Sequence, residues 1–280
     1  MAKLVINPLP GLILWCWLVT ISVHSALADV TSDWNESNPS NPTEIDHGIW
    51  QTILDRYLES DHNTGVNLFD YGRVDAQDRN VLKRYLGELQ SLDPRTYNRK
   101  VQMAYWINLY NALTVYLVID HYPVASIKKI GGLFSFGPWD TVVARIAGHD
   151  LTLNDIEHKI LRPIWKDPRI HYAVNCASLG CPNLSCKVYR AADLDDRLDQ
   201  AARDYINHPR GVRFEDGTLV LSSIYDWYRD DFGSDKSSLL RHLKRYAKPA
   251  LKDRLEGYHD ETDYEYDWSL NAPKRTAKSG

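Results

Sequence analysis

Residues 152–189, TLNDIEHKILRPIWKDPRIHYAVNCASLGCPNLSCKVY, decide how this chain is read. The first half has helical spacing: Leu153, Ile156, Ile160, Leu161 and Ile164 share one face of a wheel. Asn154 with Glu157 three positions on, or Thr152 with Asp155, supplies the start signal. Glu157 falls within the apolar face, where a carboxylate must be paired or shifted in pKa. A capping box or a pair with an internal arginine is the structural account, and a catalytic acid the functional one. His158 and Arg162 stand four apart on the flank of this helix. The second half alternates over 169–175 (RIHYAVN). That predicts a strand with Arg169, His171, Ala173 and Asn175 on one face and Ile170, Tyr172 and Val174 on the other. The strand then runs into a Gly/Ser/Pro turn carrying Cys176.

A cysteine leaving a buried strand into such a turn is placed for nucleophilic chemistry. Its thiol is partly exposed, backbone N–H groups can lower its pKa and hold an oxyanion, and a histidine from another element can act as base. Cys176 with His158 or His171 meets that description, although a regular strand puts His171 on the face opposite Cys176. Cys176, Cys181 and Cys186 are separated by four residues each, not the two of a structural zinc knuckle, so no metal is expected. Two nearby cysteines commonly pair in an oxidising compartment. Cys181–Cys186 is the local disulfide we expect, which leaves Cys176 as the odd thiol. The absence of a Cys-x-x-Cys pair weakens a redox role.

Working outward, Val101 to Ile119 contains no charged residue. Asn108 and Asn111, with Tyr105, Tyr110 and Tyr116, make it polar for lipid, and Lys100 and Asp120 bracket it. It reads as the buried central helix of a domain and not as a membrane span. Buried amides need partners, so Asn108 and Asn111 tie this helix to a loop or line a site. Helices are expected from Ile45, from Asp75 to Asp93-Pro94, and over 194–207, 224–232 and 239–246. A short strand is expected over 67–71 and a closing one over 264–270. Hairpins are expected around Gly148-His149 and around the Asp216-Gly217 turn. No repeat or second-domain boundary is visible. The expectation is one α+β domain over 45–271, a buried central helix with a small mixed or antiparallel sheet.

At the start, Lys3, the apolar run Gly11–Val23 and Ala26-Leu27-Ala28 read as a signal peptide over 1–28, cleaved near Ala28. The protein is therefore expected in the periplasm or secreted. Residues 29–44 (Ser, Asn, Pro, Asp) read as a flexible lead-in and 272–280 as a disordered tail. The net charge of −4 and the dispersal of the 33 basic residues argue against a nucleic-acid partner. Nine Trp and seventeen Tyr against five Phe suit a core containing hydrogen bonds, or a groove for polar ligands.

Six separated motifs add a resemblance. They are AYWINLYNA (104–112), Ile156-Glu157-His158 with Asp167-Pro168-Arg169-Ile170-His171, Asn175-Cys176-Ala177-Ser178, Cys181-Pro182, Trp227-Tyr228 with Asp231-Phe232-Gly233, and YDWSLN (266–271). Together they resemble the domain-of-unknown-function family numbered 547, over about 46–271. The family occurs in exported bacterial proteins and in plant proteins, and its name assigns no reaction. The resemblance places its motif residues at Asn108, Asn111, Glu157, His158, Arg162, Arg169, His171, Cys176 and Ser178, with Cys181 the more replaceable cysteine. Fold analogy extends to papain-like cysteine peptidases, and analogy of fold says little of function.

The expected function is a thiol-dependent hydrolase or acyl-transferase acting on peptide-like or envelope substrates, without a cofactor. Cys176 is the nucleophile, His158 or His171 the base, and Glu157, Asn108 or Asn111 the group orienting it. Arg162, Arg169, Asn175 and Ser178 complete the set. The alternatives are a non-catalytic exported scaffold with a buried polar cluster, and a thiol redox or metal-binding protein.

Overall fold

A computed structural model describes residues 33–131 and 137–274. The signal segment 1–28, the first lead-in residues and the tail from 275 lie outside them. The chain runs α1 (Gly48–Tyr57), β1 (Leu58–Glu59), β2 (Leu68–Phe69), α2 (Ala76–Gln90), α3 (Arg99–His121), β3 (Val142–Ile146) and β4 (His149–Thr152). A π-helical segment, Asp155–Leu161, continues into α4 (Arg162–Trp165), followed by α5 (Ile170–Ala173), α6 (Leu194–Ile206), β5 (Val212–Glu215) and β6 (Thr218–Ser222). The last elements are α7 (Ile224–Trp227), α8 (Lys236–Tyr246), α9 (Pro249–Leu255) and β7 (Thr262–Glu265). The fold is α+β, as expected, with three separate small sheets among the described residues. Two are antiparallel hairpins; in the third, β6 pairs antiparallel with β5 and parallel with β7.

Asn98 starts α3, its side chain accepting from the N–H groups of Lys100 and Val101. Every residue from Val101 to Val115 is buried, so the helix is enclosed on all sides. Among the described residues no helix is long and apolar enough to cross a membrane. Buried residues form two hydrophobic clusters. The larger surrounds α3, and the smaller joins α6, α8 and the three-stranded sheet. Helix α5 lies on the seam: Ile170 and Ala173 belong to the first cluster and Tyr172 to the second.

Three expectations are corrected, and the choice between two helix-start signals is settled. The described part of the lead-in is pinned: Trp34 is buried edge-on against Trp106, and Arg99 donates to the carbonyl and side chain of Asn35. One aromatic anchor outweighs a polar composition. The strand over 169–175 is instead the helical turn α5. Asp167 accepts from the Arg169 N–H, and Pro168 fits the first turn of a helix, where no N–H is needed. Asn154 and Glu157 form no capping box; Thr152 and Asp155 do the work, each accepting the other's backbone N–H. Finally, the closing strand is earlier and shorter than expected, and Leu270 forms only an isolated bridge to Ser178.

Candidate active site

The turn after α5 is held from below by α3. Asn111 Nδ2 donates to the Ala173 carbonyl (2.9 Å) and its Oδ1 accepts from the Asn175 N–H (2.8 Å). Asn175 Oδ1 accepts from the Ala177 N–H (2.8 Å), closing an Asx turn around Cys176, and its Nδ2 reaches the Pro182 carbonyl (2.7 Å). Ala177, fully buried, sits at φ +58°, a left-handed conformation unusual for a residue with a Cβ. The far side of the loop is stitched to the segment after β7. Leu179 and Gly180 N–H groups donate to the Ser269 and Asp267 carbonyls (both 2.8 Å), and Asn271 N–H donates to Ala177 (3.2 Å). A Cβ on Gly180 would lie 2.8 Å from the Asp267 nitrogen, so this approach requires glycine.

These ties set the Cys176 sulfur among protic groups. Cys181 Sγ lies 2.8 Å away, Tyr266 Oη 3.0 Å and Ser178 Oγ 3.2 Å. Ser178 donates to Tyr266 (3.0 Å), which leaves the phenol's single proton free for a hydrogen bond to the sulfur. The Cys176 N–H donates to Cys181 Sγ (2.9 Å). Hydrogen bonding from Cys181 lowers the Cys176 pKa against the opposing effect of burial, with Ser178 and Tyr266 adding to it. Burial, and then the Cys176 sulfur, push Cys181 well up. Cys176 is thus the thiol that ionises, and Cys181 its donor.

The histidines face the same cavity, which is about 260 Å³ and lined by Glu157, His158, His171, Cys176, Cys181 and a set of aromatic rings. They reach it from different elements. In the π-helical segment the Arg162 N–H bonds to the Glu157 carbonyl, five residues back. Pro163 brings no N–H and its ring crowds the preceding turn, a local cause for such widening; π-helical turns are frequent at functional sites. His158 Nδ1 stands 3.1 Å from Arg162 Nη1, which can only donate, so Nδ1 accepts and the imidazole is neutral with its proton on Nε2. Burial lowers the His158 pKa, and the Arg162 charge acts the same way. His171 is the opposite case. Its Nε2 lies 2.6 Å from Asp231 Oδ2, and its ring stacks on Tyr228 at 4.2 Å. Burial would raise the Asp231 pKa, but hydrogen bonds from His171 and Arg162 hold it well below the ordinary carboxylate range. An ionised Asp231 takes the Nε2 proton, which leaves His171 Nδ1 as the free basic nitrogen.

The expected residues therefore divide. Glu157, His158, His171, Cys176 and Cys181 meet at the cavity, with Ser178, Asn175 and Arg162 directly behind. Asn108 exchanges hydrogen bonds with the Tyr189 backbone and, like Asn111, ties the central helix to a loop. Arg169 lies in an ion cluster with Asp167, Asp195 and Asp199 that holds α5 on α6. The Cys181–Cys186 disulfide is not formed: both are free thiols, Cys181 buried against Cys176 and Cys186 exposed. A turn that aims Cys181 back at its own start cannot also present it to Cys186. No hydrogen bond joins Cys176 to either imidazole. Among the described residues no metal-binding group of His, Cys, Asp or Glu is found. Asp231, Tyr228 and Tyr266 were missed as site residues, although their motifs carry part of the resemblance.

No curated protein and no solved structure matches this chain. Residues 94–206 match a family model described as Protein of unknown function, DUF547, a span that takes in Glu157, His158, His171 and Cys176 and stops short of Asp231 and Tyr266; over it the chain resembles that family, as its motifs predict.

Proposed function

We propose that the protein is a thiol-dependent hydrolase or acyl-transferase acting outside the cytosol on peptide-like or envelope substrates. The observation carrying this reading is a half-buried thiol with a lowered pKa sharing a cavity with an Asp-held histidine. Cys176 Sγ attacks the acyl carbon, the thiol proton passes to His171 Nδ1, and the same imidazole returns it to the leaving group. A second water or acceptor then releases the acyl group and restores the thiol. Asp231 keeps the His171 Nε2 proton in place and stabilises the imidazolium, as the carboxylate does in acyl-transfer triads. Because no hydrogen bond joins Cys176 to His171, the proton crosses through a water or the substrate; general acid–base pairs commonly close up only when substrate binds. Tyr266, which bonds to the sulfur, and the His158 Nε2–H, which shares the cavity, are side-chain donors available to a developing oxyanion.

The test uses the exported protein with an activated acyl ester, read by intact mass for an acyl group on Cys176. Wild type is expected to form the adduct and turn over, and His171→Ala to lose turnover. A folded Cys176→Ser variant with full activity overturns the reading.

A second reading, thiol redox, is favoured by the 2.8 Å approach of Cys181 to Cys176. Titration against a glutathione redox buffer separates the two: a reversible Cys176–Cys181 disulfide without acyl transfer supports redox function alone.

A further inference from the structure

The cavity beside Cys176 has a charge and shape that the thiol chemistry does not use. Among the described residues its lining contains one carboxylate, Glu157, and neither lysine nor arginine. Glu157 is only 6% exposed. Its Oε1 stands 3.9 Å from both His158 Nδ1 and His171 Nδ1, too far for a hydrogen bond. His158 Nδ1 already accepts from Arg162, and the His171 proton is given to Asp231. Arg162, whose charge acts on Glu157 through space, is committed to Asp231 in a bidentate pair and lies over Tyr228. A buried carboxylate without a donor calls for one from a ligand.

The same cavity is lined with aromatic rings. Trp227 and Trp268 stack at 5.5 Å, and Trp139 stands edge-on to Trp268 at 5.7 Å with its plane turned by 72°. Tyr266 packs against both Trp227 and Trp268. Trp139 is folded over Gly137, where a Cβ would fall 1.9 Å from its ring, so glycine is needed to place it. Trp139 and Trp227 line the cavity with π-systems, and a cation that meets a ring face is attracted to it. Trp268 is itself occupied, with Lys128 Nζ 4.9 Å from its centroid and Trp227 stacked on it, so it holds the other rings in place and does not receive a ligand.

We infer that the cavity binds a primary ammonium group of the substrate, hydrogen-bonded to Glu157 and backed by Trp139 and Trp227. The inference rests on the proposed function for taking this cavity as the substrate site. It narrows the substrate class to amine-bearing compounds, such as a peptide with a free amino group, whose ammonium is seated beside the Cys176 sulfur. Glu157 then acts in binding and not as the acid expected from its sequence.

Binding of n-butylammonium to the Cys176→Ser full chain, followed by tryptophan fluorescence and calorimetry, tests this without requiring thiol chemistry. The cation is expected to bind, and n-butanol, its neutral counterpart, about tenfold more weakly or less, since a charge-assisted hydrogen bond is lost. Glu157→Gln, which keeps the volume, is expected to weaken the cation by about tenfold or more and leave n-butanol unchanged. Trp227→Ala, at a ring 46% exposed and so tolerant of truncation, is expected to weaken it several-fold, about the strength of one cation–π contact. Equal binding of n-butanol, no loss in Glu157→Gln, or quenching by N-acetylglucosamine with none by the cation each overturns the inference. None of these results bears on whether Cys176 forms an acyl adduct, so the two ideas fail separately.

Discussion

At the residue scale, the site turns on which groups hold which protons. The thiolate of Cys176 is stabilised first by Cys181 and then by Ser178 and Tyr266. Removing a donor from an anion raises its pKa. Cys181→Ala and Tyr266→Phe are both expected to move the midpoint of Cys176 alkylation by iodoacetamide to higher pH, Cys181→Ala by more. A midpoint that stays put or falls in Cys181→Ala refutes the assignment of Cys181 as donor. Asp231 offers a second check. Asp231→Asn can offer Nε2 a donor in place of an acceptor, and the imidazole then turns to the wrong tautomer. Turnover is expected to drop by about two orders of magnitude or more. It is also expected to expose the pairing of Arg162, so the urea midpoint must be measured alongside. Equal kcat/KM and pH profile in the variant and wild type exclude a positioning role for Asp231.

At the scale of elements, the central helix acts through two amides that look alike in sequence and do different work. Asn108 satisfies the N–H and carbonyl of Tyr189. Asn111 satisfies Ala173 and Asn175, immediately before Cys176. Asn108→Ala and Asn111→Ala each leave two buried backbone groups without a partner, at about 1–3 kcal/mol for each group. Both are expected to lower the urea midpoint by similar amounts, and Asn111→Ala alone to shift Cys176 alkylation. Identical alkylation profiles would mean that the turn does not depend on its anchor. The enclosed helix was legible because a run of 19 residues, Val101 to Ile119, without a charge has few other homes. The hairpin at Asp216-Gly217 was legible because its turn chemistry is local, with Glu215 opposite Thr218 as a two-residue loop requires. The turn α5 was misread because alternation over seven residues was weighed above the helix-start signal of Asp167-Pro168. With α5 helical, the argument that His171 and Cys176 face opposite ways no longer applies. Asp231 and Tyr266 escaped because they join the site from 55 and 90 residues beyond Cys176, as the Asp231–His171 and Tyr266–Cys176 bonds show. Local spacing carries no record of such contacts.

At the scale of the whole molecule, each hydrophobic cluster borders a histidine that burial keeps neutral. His47 bonds through Nδ1 to Tyr85 (2.6 Å) beside the larger cluster, and burial pushes its pKa down to about 4. Asp46 opposes that fall and Arg190 reinforces it. His242 stacks on Tyr172 beside the smaller cluster, with its Nε2 2.9 Å from the Tyr172 hydroxyl; burial lowers it to about 4 as well. Arg245, His171 and Arg169 reinforce the shift and Asp167 opposes it. In the unfolded chain both histidines titrate near their ordinary value of about 6.5. Between that pH and 4 the unfolded chain binds protons the folded one does not, so stability is full above about 6.5 and falls as pH drops toward 4. The loss is on the order of 2–3 kcal/mol for each residue. The shifts resolved at His158 and His208 are also downward and add to the slope. The lowered carboxylates Asp78 and Asp231 act chiefly at more acidic pH. Urea midpoints at pH 7 and pH 5 are therefore expected to differ clearly. His47→Gln and His242→Gln, which cannot titrate, are each expected to remove part of the difference, and the double variant more than either. The clusters meet at α5, so loss of either loosens the seam holding His171. Acid should then unfold both clusters in one transition, with tryptophan fluorescence and far-UV circular dichroism moving together. A midpoint that holds or rises as pH falls from 7 to 5 would show that neither histidine is kept neutral by the fold.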